Sequence, residues 1–334
     1  MSIMDFSGKH FLVIGAGISG RAASLALAGH GGSVTLNDMK AIDTAEQPWP
    51  DIKDAGVQLV FGSQETALLD GMDVVVPSPV ISPEIPIMKE AARRGLPIWS
   101  EVEVACRVTD ADMIGITGTN GKTTTTTLVG EIMKATGRQT VVGGNIGYGL
   151  SAQADNLPKE AVVVAELSSF QLEFTHSIKA KAATILNITP DHLDRHHTME
   201  GYAAAKKRIF LNQDKGDYAV LNYDDERVRA MAKDMTGTVV YFSTCGEVPE
   251  GAFYQDGQLI LRLHGQDTVV CAETDLHLFG KHNIQNCLAA ILLTYAAGAP
   301  LDVIRQVLKD FKGVEHRLEK VRTIHGVTYY NDSK

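Results

Sequence analysis

The chain has 334 residues, enough for two or more domains with cores of their own. Its 44% apolar and 21% charged residues are those of an ordinary soluble globular protein, and no apolar run approaches membrane-spanning length. A formal net charge of -9 argues against a general nucleic-acid or membrane-surface binder, so an anionic ligand needs a local site.

The N-terminus carries no secretory signal pattern, since Phe11-Leu12-Val13-Ile14 is short and runs straight into glycines. The four cysteines, Cys106, Cys245, Cys271 and Cys287, are widely spaced and form no metal-type pair. They are expected to be small core residues in a reducing compartment, and the cytoplasm is the expected location.

Residues 10–38 read as strand, glycine-rich turn, helix and strand: His10 to Ile14, then GAGISG, then an Ala/Leu helix to about His30, then Ser33 to Asn37. Gly15, Gly17 and Gly20 make G-x-G-x-x-G, and Asp38 closes the second strand. This turn suits any ligand with a diphosphate and does not separate NAD from a UDP-sugar. Strands at Gln58 to Phe61 and Asp73 to Val76, with a helix from Pro86 to Arg94, complete a small parallel sheet over residues 1–100. Ser100 to Asp112, SEVEVACRVTDAD, reads as a crossing into a second unit.

That unit opens on a phosphate-loop pattern. Met113 to Ile116 is a short apolar run of the buried-strand type; Gly118-Thr119-Asn120-Gly121-Lys122-Thr123 follows, and Leu128, Ile132 and Met133 recur at helical spacing until Gly137. Gly and Thr are poor helix formers, so their placement at a helix start points to a ligand. Glycines let backbone amides turn inward, the helix presents its positive end, the lysine adds a charge, and the adjacent threonine can reach a magnesium ion. The loop is shorter than the usual pattern, because Ile116 stands where a first glycine is expected.

Downstream, apolar strands at Ala161 to Ala165, Ala182 to Ile188 and Tyr218 to Leu221 continue a mainly parallel α/β alternation. Glu166 follows the first of them, where a carboxylate can hold magnesium on phosphates. The second leads into NITPDHLDRHH; of Asp191, His192, Asp194, His196 and His197, none is read as part of a zinc-helix motif, and His192 is favoured as nearest the strand end. GYAAAKKRIF puts Lys206 and Lys207 on a helix. Asp256-Gly257 and His264-Gly265 are hairpin turns, and helices from about Asn283 to Ala297 and Leu301 to Phe311 close the unit at 313. Residues 314–334 suggest two short strands, Val321 to Ile324 and Val327 to Tyr330, which begin a third, incomplete domain.

Taken together, GTNGKTTT, GNIG, AELSSFQLE, NITPDHLDRH, AAKKRI, GKHNIQNCLAA, EHRLE and NDSK resemble the Mur ligase family along the whole chain and in the family's order. The resemblance is to its D-glutamate-adding branch in peptidoglycan precursor synthesis. It implies a Rossmann-like domain for the UDP substrate (1–100), a central P-loop-type ATPase domain (101–313) and the start of an amino-acid-binding domain (314–334). Substrates would be ATP, UDP-N-acetylmuramoyl-L-alanine and D-glutamate, with two Mg2+ ions and a monomer that binds no nucleic acid or membrane.

By the same resemblance Gly118, Thr119, Asn120, Gly121, Lys122, Thr123, Thr124, Asn283 and Arg317, with His316 beside it, would bind ATP. Thr123, Glu166 and His192 would serve the metals, and Lys206 would be the carbamylated lysine that supports them. Ile18, Ser19, Asp38, Ser78 and Asn145 would contact the UDP substrate, and Lys334 would lie near the reaction centre. The short C-terminal segment implies that this chain alone does not complete ligation. Other readings fit parts of the pattern: a folylpolyglutamate-type or other Mur ligase, a nicotinamide-dependent oxidoreductase built on GAGISG, and a nucleotide-binding module without catalysis.

Overall fold

The structure is a computed structural model that describes residues 4–43, 48–314, 319–324 and 327–331. The chain forms two compact units, each made of several stretches: Met1–Asp112, Gly143–Lys179 and His192–Asn212 in one, and Met113–Val142, Ala180–Asp191 and Gln213–Lys334 in the other.

In the first unit four parallel strands, His10–Ile14 (β1), Ser33–Asp38 (β2), Gln58–Phe61 (β3) and Val74–Pro77 (β4), lie in the order β3-β2-β1-β4. Side chains alternate across a strand. Phe11 and Val13 therefore enter a cluster with Leu27, Leu36 and Trp49, whereas Leu12 and Ile14 enter another with Val75, Ile87 and Met88. Both faces are covered, which is why β1 is a continuous apolar run and not an alternating one. The helices Ile18–Gly29 and Pro86–Arg93 agree with the sequence reading to within a residue or two at their ends.

Residues 100–112 do not form the plain crossing expected of them. Ser100 caps a helix, Glu101–Val108, by accepting from the Glu103 amide, and both Glu101 and Glu103 are buried. The Glu103 carboxylate accepts from Arg107, from the amides of His176 and Ser177, and from the Ser177 hydroxyl, all at 2.7 Å. A charge is tolerated in the interior when it is paired and its oxygens are fully used, and SEVEV hides a core helix for that reason.

The second unit carries Asp112–Thr117 (β5), while Thr140–Gly144 (β6) leads out of it and Val162–Glu166 (β7) lies in the first unit. Ala180–Ile185 (β8), Tyr218–Asn222 (β9), Thr238–Ser243 (β10) and Gly251–Gln255 (β11) run parallel with β5 in the order β11-β10-β9-β8-β5. Gln258–Leu263 (β12) and Gln266–Ala272 (β13) add antiparallel hairpins, turned at Asp256-Gly257 and His264-Gly265 as the sequence suggests. The helices Lys281–Ala296 and Leu301–Asp310 follow, and Glu319–Ile324 (β14) pairs antiparallel with Val327–Asn331 (β15). Among the described residues no helix is long and apolar enough to cross a membrane. The expectation of core cysteines holds for Cys271 and Cys287; Cys245 is exposed, and the Lys281 ammonium donates to its Sγ.

Removing the Glu103 carboxylate strands Arg107 and two amides in the interior. We expect Glu103→Ala to lower the unfolding free energy by about 3 kcal/mol or more, and Arg107→Ala by less because that guanidinium is partly exposed. Urea denaturation checks both.

Candidate active site

In the second unit β5 ends at Thr117 and the helix Lys122–Ala135 begins four residues later. The corner between them is held from outside. The Thr119 amide donates to the Asn187 carbonyl (3.0 Å), the Asn120 amide to Asn187 Oδ1 (2.8 Å), and Asn187 Nδ2 returns a bond to the Asn120 carbonyl (3.1 Å). Thr119 Oγ1 also exchanges bonds with the amide and carbonyl of Thr189. These bonds draw residues 187–189 out of the sheet, so β8 stops at Ile185, short of the Ile188 expected from hydropathy.

Gly121 caps the helix with φ +85, and a Cβ there would lie 2.4 Å from Asn286 Oδ1. The cap has no side-chain acceptor, and Thr125 is the first helical residue whose amide bonds back to Gly121. The amides of the first turn, over Lys122, Thr123 and Thr124, therefore belong to the positive end of the helix dipole, where an anion is stabilised. Lys122 Nζ folds over the loop onto the carbonyls of Gly118 (3.0 Å) and Thr119 (2.9 Å). Asn283 is buried, donating to the Phe279 carbonyl and accepting from Asn286, so it supports the residue that faces Gly121. Sequence reading missed Asn187 and Asn286; an asparagine just past a strand end is the signal that could have marked the first.

In the first unit β7 ends on Glu166, which belongs to the strand itself and is 1% exposed. Asn145 clasps it twice, its amide donating to the Glu166 carbonyl (2.8 Å) and its Nδ2 to Oε1 (2.9 Å). Gly144 turns at φ +106, and a Cβ there would meet the Glu166 carbonyl at 2.3 Å. The other carboxylate oxygen, Oε2, is buried without a hydrogen-bond partner among the described residues. A buried carboxylate oxygen left open suits a cation, and magnesium takes one or two carboxylates with the rest of its shell from water and phosphate.

His192 stands at φ +51 as the cap of a short helix, Leu193–His196, in a stretch expected to be loop. Its ring lies 4.9 Å from Phe170, while His196 lies 5.4 Å from Tyr202 and bonds Ser169 Oγ at 2.9 Å. Burial pulls the His196 imidazole below its ordinary value. Lys206, on the helix Met199–Lys207, is 2% exposed with Nζ 4.7 Å from the Tyr202 ring centre. Tyr202 thus neighbours both Lys206 and the exposed His192, whose ring centre lies 6.3 Å from its own. Asp191, Asp194 and His197 are exposed, and among the described residues no three His, Cys, Asp or Glu side chains are gathered into a metal cage.

At the N-terminal turn Gly15 has φ +98, with Ser78 Oγ 2.7 Å from where its Cβ would stand, and Ser78 donates to the Gly15 carbonyl. Asp38 accepts from the Ala16 and Lys40 amides. A Cβ on Gly17 would meet nothing within 4 Å, so backbone is open to a ligand there, beside the exposed Ile18 and half-buried Ser19. His316, Arg317 and Lys334 lie outside the described residues.

The Mur ligase middle domain model matches residues 116–294. The UDP-N-acetylmuramoylalanine–D-glutamate ligase of Desulfitobacterium hafniense (strain Y51) is 45% identical over 99% of this chain and 73% of its own length. The chain belongs to the Mur ligase family. The like-named enzyme of Pelotomaculum thermopropionicum is 44% identical, again over 99% of this chain and 73% of its own. Among solved structures, the UDP-N-acetylmuramate:L-alanyl-gamma-D-glutamyl-meso-diaminopimelate ligase of Neisseria meningitides matches with a TM-score of 0.62, at 20% identity, over 92% of this chain and 99% of that one. The murein peptide ligase of Psychrobacter arcticus matches at 0.60 and 17%, over 97% and 73%. At these identities the structures show the shared α/β fold. Mur ligases use ATP, usually with Mg2+.

Gly121→Ala would force an alanine into left-handed backbone against Asn286. We expect it to cost about 1–3 kcal/mol from the backbone alone, with part of the further loss from the 2.4 Å contact recovered in Gly121→Ala/Asn286→Ala. Thermal unfolding of these two variants and of Asn286→Ala measures this.

Proposed function

We propose that this chain acts on UDP-N-acetylmuramoyl-L-alanine and ATP in the addition of D-glutamate, an ADP-forming acid–amino-acid ligation of peptidoglycan precursor synthesis. The observation that carries the reading is the 41–45% identity, along 99% of the chain, to enzymes named for that reaction. In chemical terms, the alanyl carboxylate oxygen attacks the γ-phosphorus and ADP departs, leaving an acyl phosphate. The amine of D-glutamate attacks its carbonyl carbon, the nitrogen loses its proton, and phosphate leaves with the amide formed.

The residues divide this work. Lys122 and the first-turn amides, Gly121 to Thr124, take the ATP phosphates and the charge that grows on the transferring group. Glu166 Oε2, buried and without a hydrogen-bond partner among the described residues, supports a role in holding magnesium; Thr123 would serve a first ion and His192 a second. Magnesium, when bound, neutralises phosphate charge. Asn145, locked to Glu166, is placed to orient the substrate near its carboxylate. Ile18, Ser19, Asp38 and Ser78 surround the UDP moiety at the open Gly17 turn, and Asn283, Arg317 and Lys334 complete the nucleotide and reaction sites. The site acts as a monomer in the cytoplasm.

Lys206 is carbamylated in this reading. A carbamate forms only on a neutral amine, and burial favours the neutral form; Lys206 is buried whereas Lys207 is only partly so.

Calorimetry with UDP-N-acetylmuramoyl-L-alanine and a non-hydrolysable ATP analogue tests the assignment. Both should bind. Lys122→Ala should weaken the ATP analogue by roughly a hundredfold, the scale of losing one charge-stabilising group, and leave the UDP ligand unaffected. Binding of NADH in place of the UDP ligand would sink it. For Lys206, a carbamate carbon should be visible by NMR after 13C-bicarbonate is added, absent in Lys206→Ala and present in Lys207→Ala; the reverse pattern would move the modification to Lys207.

A further inference from the structure

Glu101 is used by none of the chemistry above, yet it is 1% exposed and its Oε2 is buried without a partner among the described residues. Its other oxygen is heavily used: Oε1 accepts from the Ser151 amide at 2.5 Å and from the Ser151 hydroxyl at 2.6 Å. Burial pushes the carboxyl above its usual range, and the two Ser151 bonds oppose that. An interior acid with one lone oxygen is costly to keep, so its position calls for a purpose beyond packing.

Ser151 lies in the first turn of the helix Leu150–Ala154, which ends the loop that Gly144 and Asn145 begin. At its start the loop is fixed on Glu166 through the Asn145 amide and Nδ2. At its finish it is pressed onto the first unit's other helices: a Cβ on Gly149 would stand 2.3 Å from Ala22 Cβ, 3.2 Å from Glu101 Oε1 and 3.5 Å from the Ile18 carbonyl. Between these anchors the loop spans from the carboxylate at the end of β7 to the first turn of the helix behind Gly15-Gly17-Gly20. Tyr148 in the loop and Ile18 in that turn are both exposed, at 76% and 55%.

We propose that Glu101 is a positioning residue: by gripping Ser151 it fixes the far end of the 145–149 loop, and so sets the distance from the nucleotide-binding turn to Asn145 and Glu166. This rests on the substrate reading above, in which one end of a single ligand sits at each place. A carboxyl suits the task because one oxygen takes both Ser151 donors while the side chain stays interior, and an uncharged glutamine amide oxygen can take the same two. Aspartate, a methylene shorter, withdraws the acceptor from Ser151.

Hydrogen exchange on the free protein tests the grip without any ligand. Glu101→Ala should speed exchange of the 145–151 amides at least tenfold, Ser151→Ala by less, and Glu101→Gln by under threefold, with β1 and the helix Lys122–Ala135 unchanged. Calorimetry then tests the consequence. Glu101→Ala should weaken UDP-N-acetylmuramoyl-L-alanine about tenfold, leave the ATP analogue unchanged, and add little to Asn145→Ala, since both act through one loop. Unchanged exchange at 145–151 in both Glu101→Ala and Ser151→Ala overturns the grip, and full additivity with Asn145→Ala overturns the positioning role. If Glu101→Ala fails to fold, Ser151→Ala and Glu101→Gln carry the same comparison. Failure of the unaltered protein to bind the UDP ligand would instead remove the substrate reading, leaving the exchange result to decide the grip.

Discussion

The corner after β5 is held from outside, by an asparagine that lies just beyond the end of β8. Asn187 accepts from the amides of Thr119 and Asn120, both ahead of the Gly121 cap, and so fixes the loop. Asn187 is itself held, because Ile188 donates to Asp225 and Asn222 donates to the Leu186 carbonyl. The ends of β8 and β9 are thereby tied to the loop beside them. Gly121 follows from the same arrangement: Asn286 fills the space where any side chain would stand.

Where the sequence was legible, one face or one run decided the matter. β1, β2, β3 and the two hairpin turns lie within a residue or so of where hydropathy and the Asp-Gly and His-Gly signals put them, because burial and turn geometry dominate there. The Gly-Lys-Thr corner was legible for a similar reason, since local backbone demands select those residue types. What escaped was polar and distant. Glu103 finds its acceptor role with residues more than seventy positions away, and Glu101 finds Ser151 at fifty. No local pattern separates a solvated SEVEV from a buried one when the compensating donors lie in another segment. The interleaving of the two units, each drawn from three stretches of chain, is hidden for the same reason.

Glu101 and Glu103 show how differently one short helix can bury two carboxyls. Glu103 meets a guanidinium, two amides and a hydroxyl, and both its oxygens are served. Glu101 meets one serine, and among the described residues its other oxygen has no hydrogen-bond partner. The first arrangement stabilises the interior; the second is tolerated there. Cores shed half-satisfied polar groups unless something else retains them, and the loop between Asn145 and Ser151 is the element that Glu101 touches.

The same logic separates Lys206 from Lys207. Adjacent residues on a helix point about a hundred degrees apart, so a helix packed on one side buries one lysine and leaves its neighbour nearer solvent. On Met199–Lys207 the buried side carries Tyr202, Ala205 and Lys206, and Tyr202 turns its ring face to the Lys206 amine. Lys206 is 2% exposed whereas Lys207 is only partly buried, so the two amines meet different surroundings. A motif reading chooses between the two by alignment of letters; the helix separates them by burial, on the side that carries Tyr202.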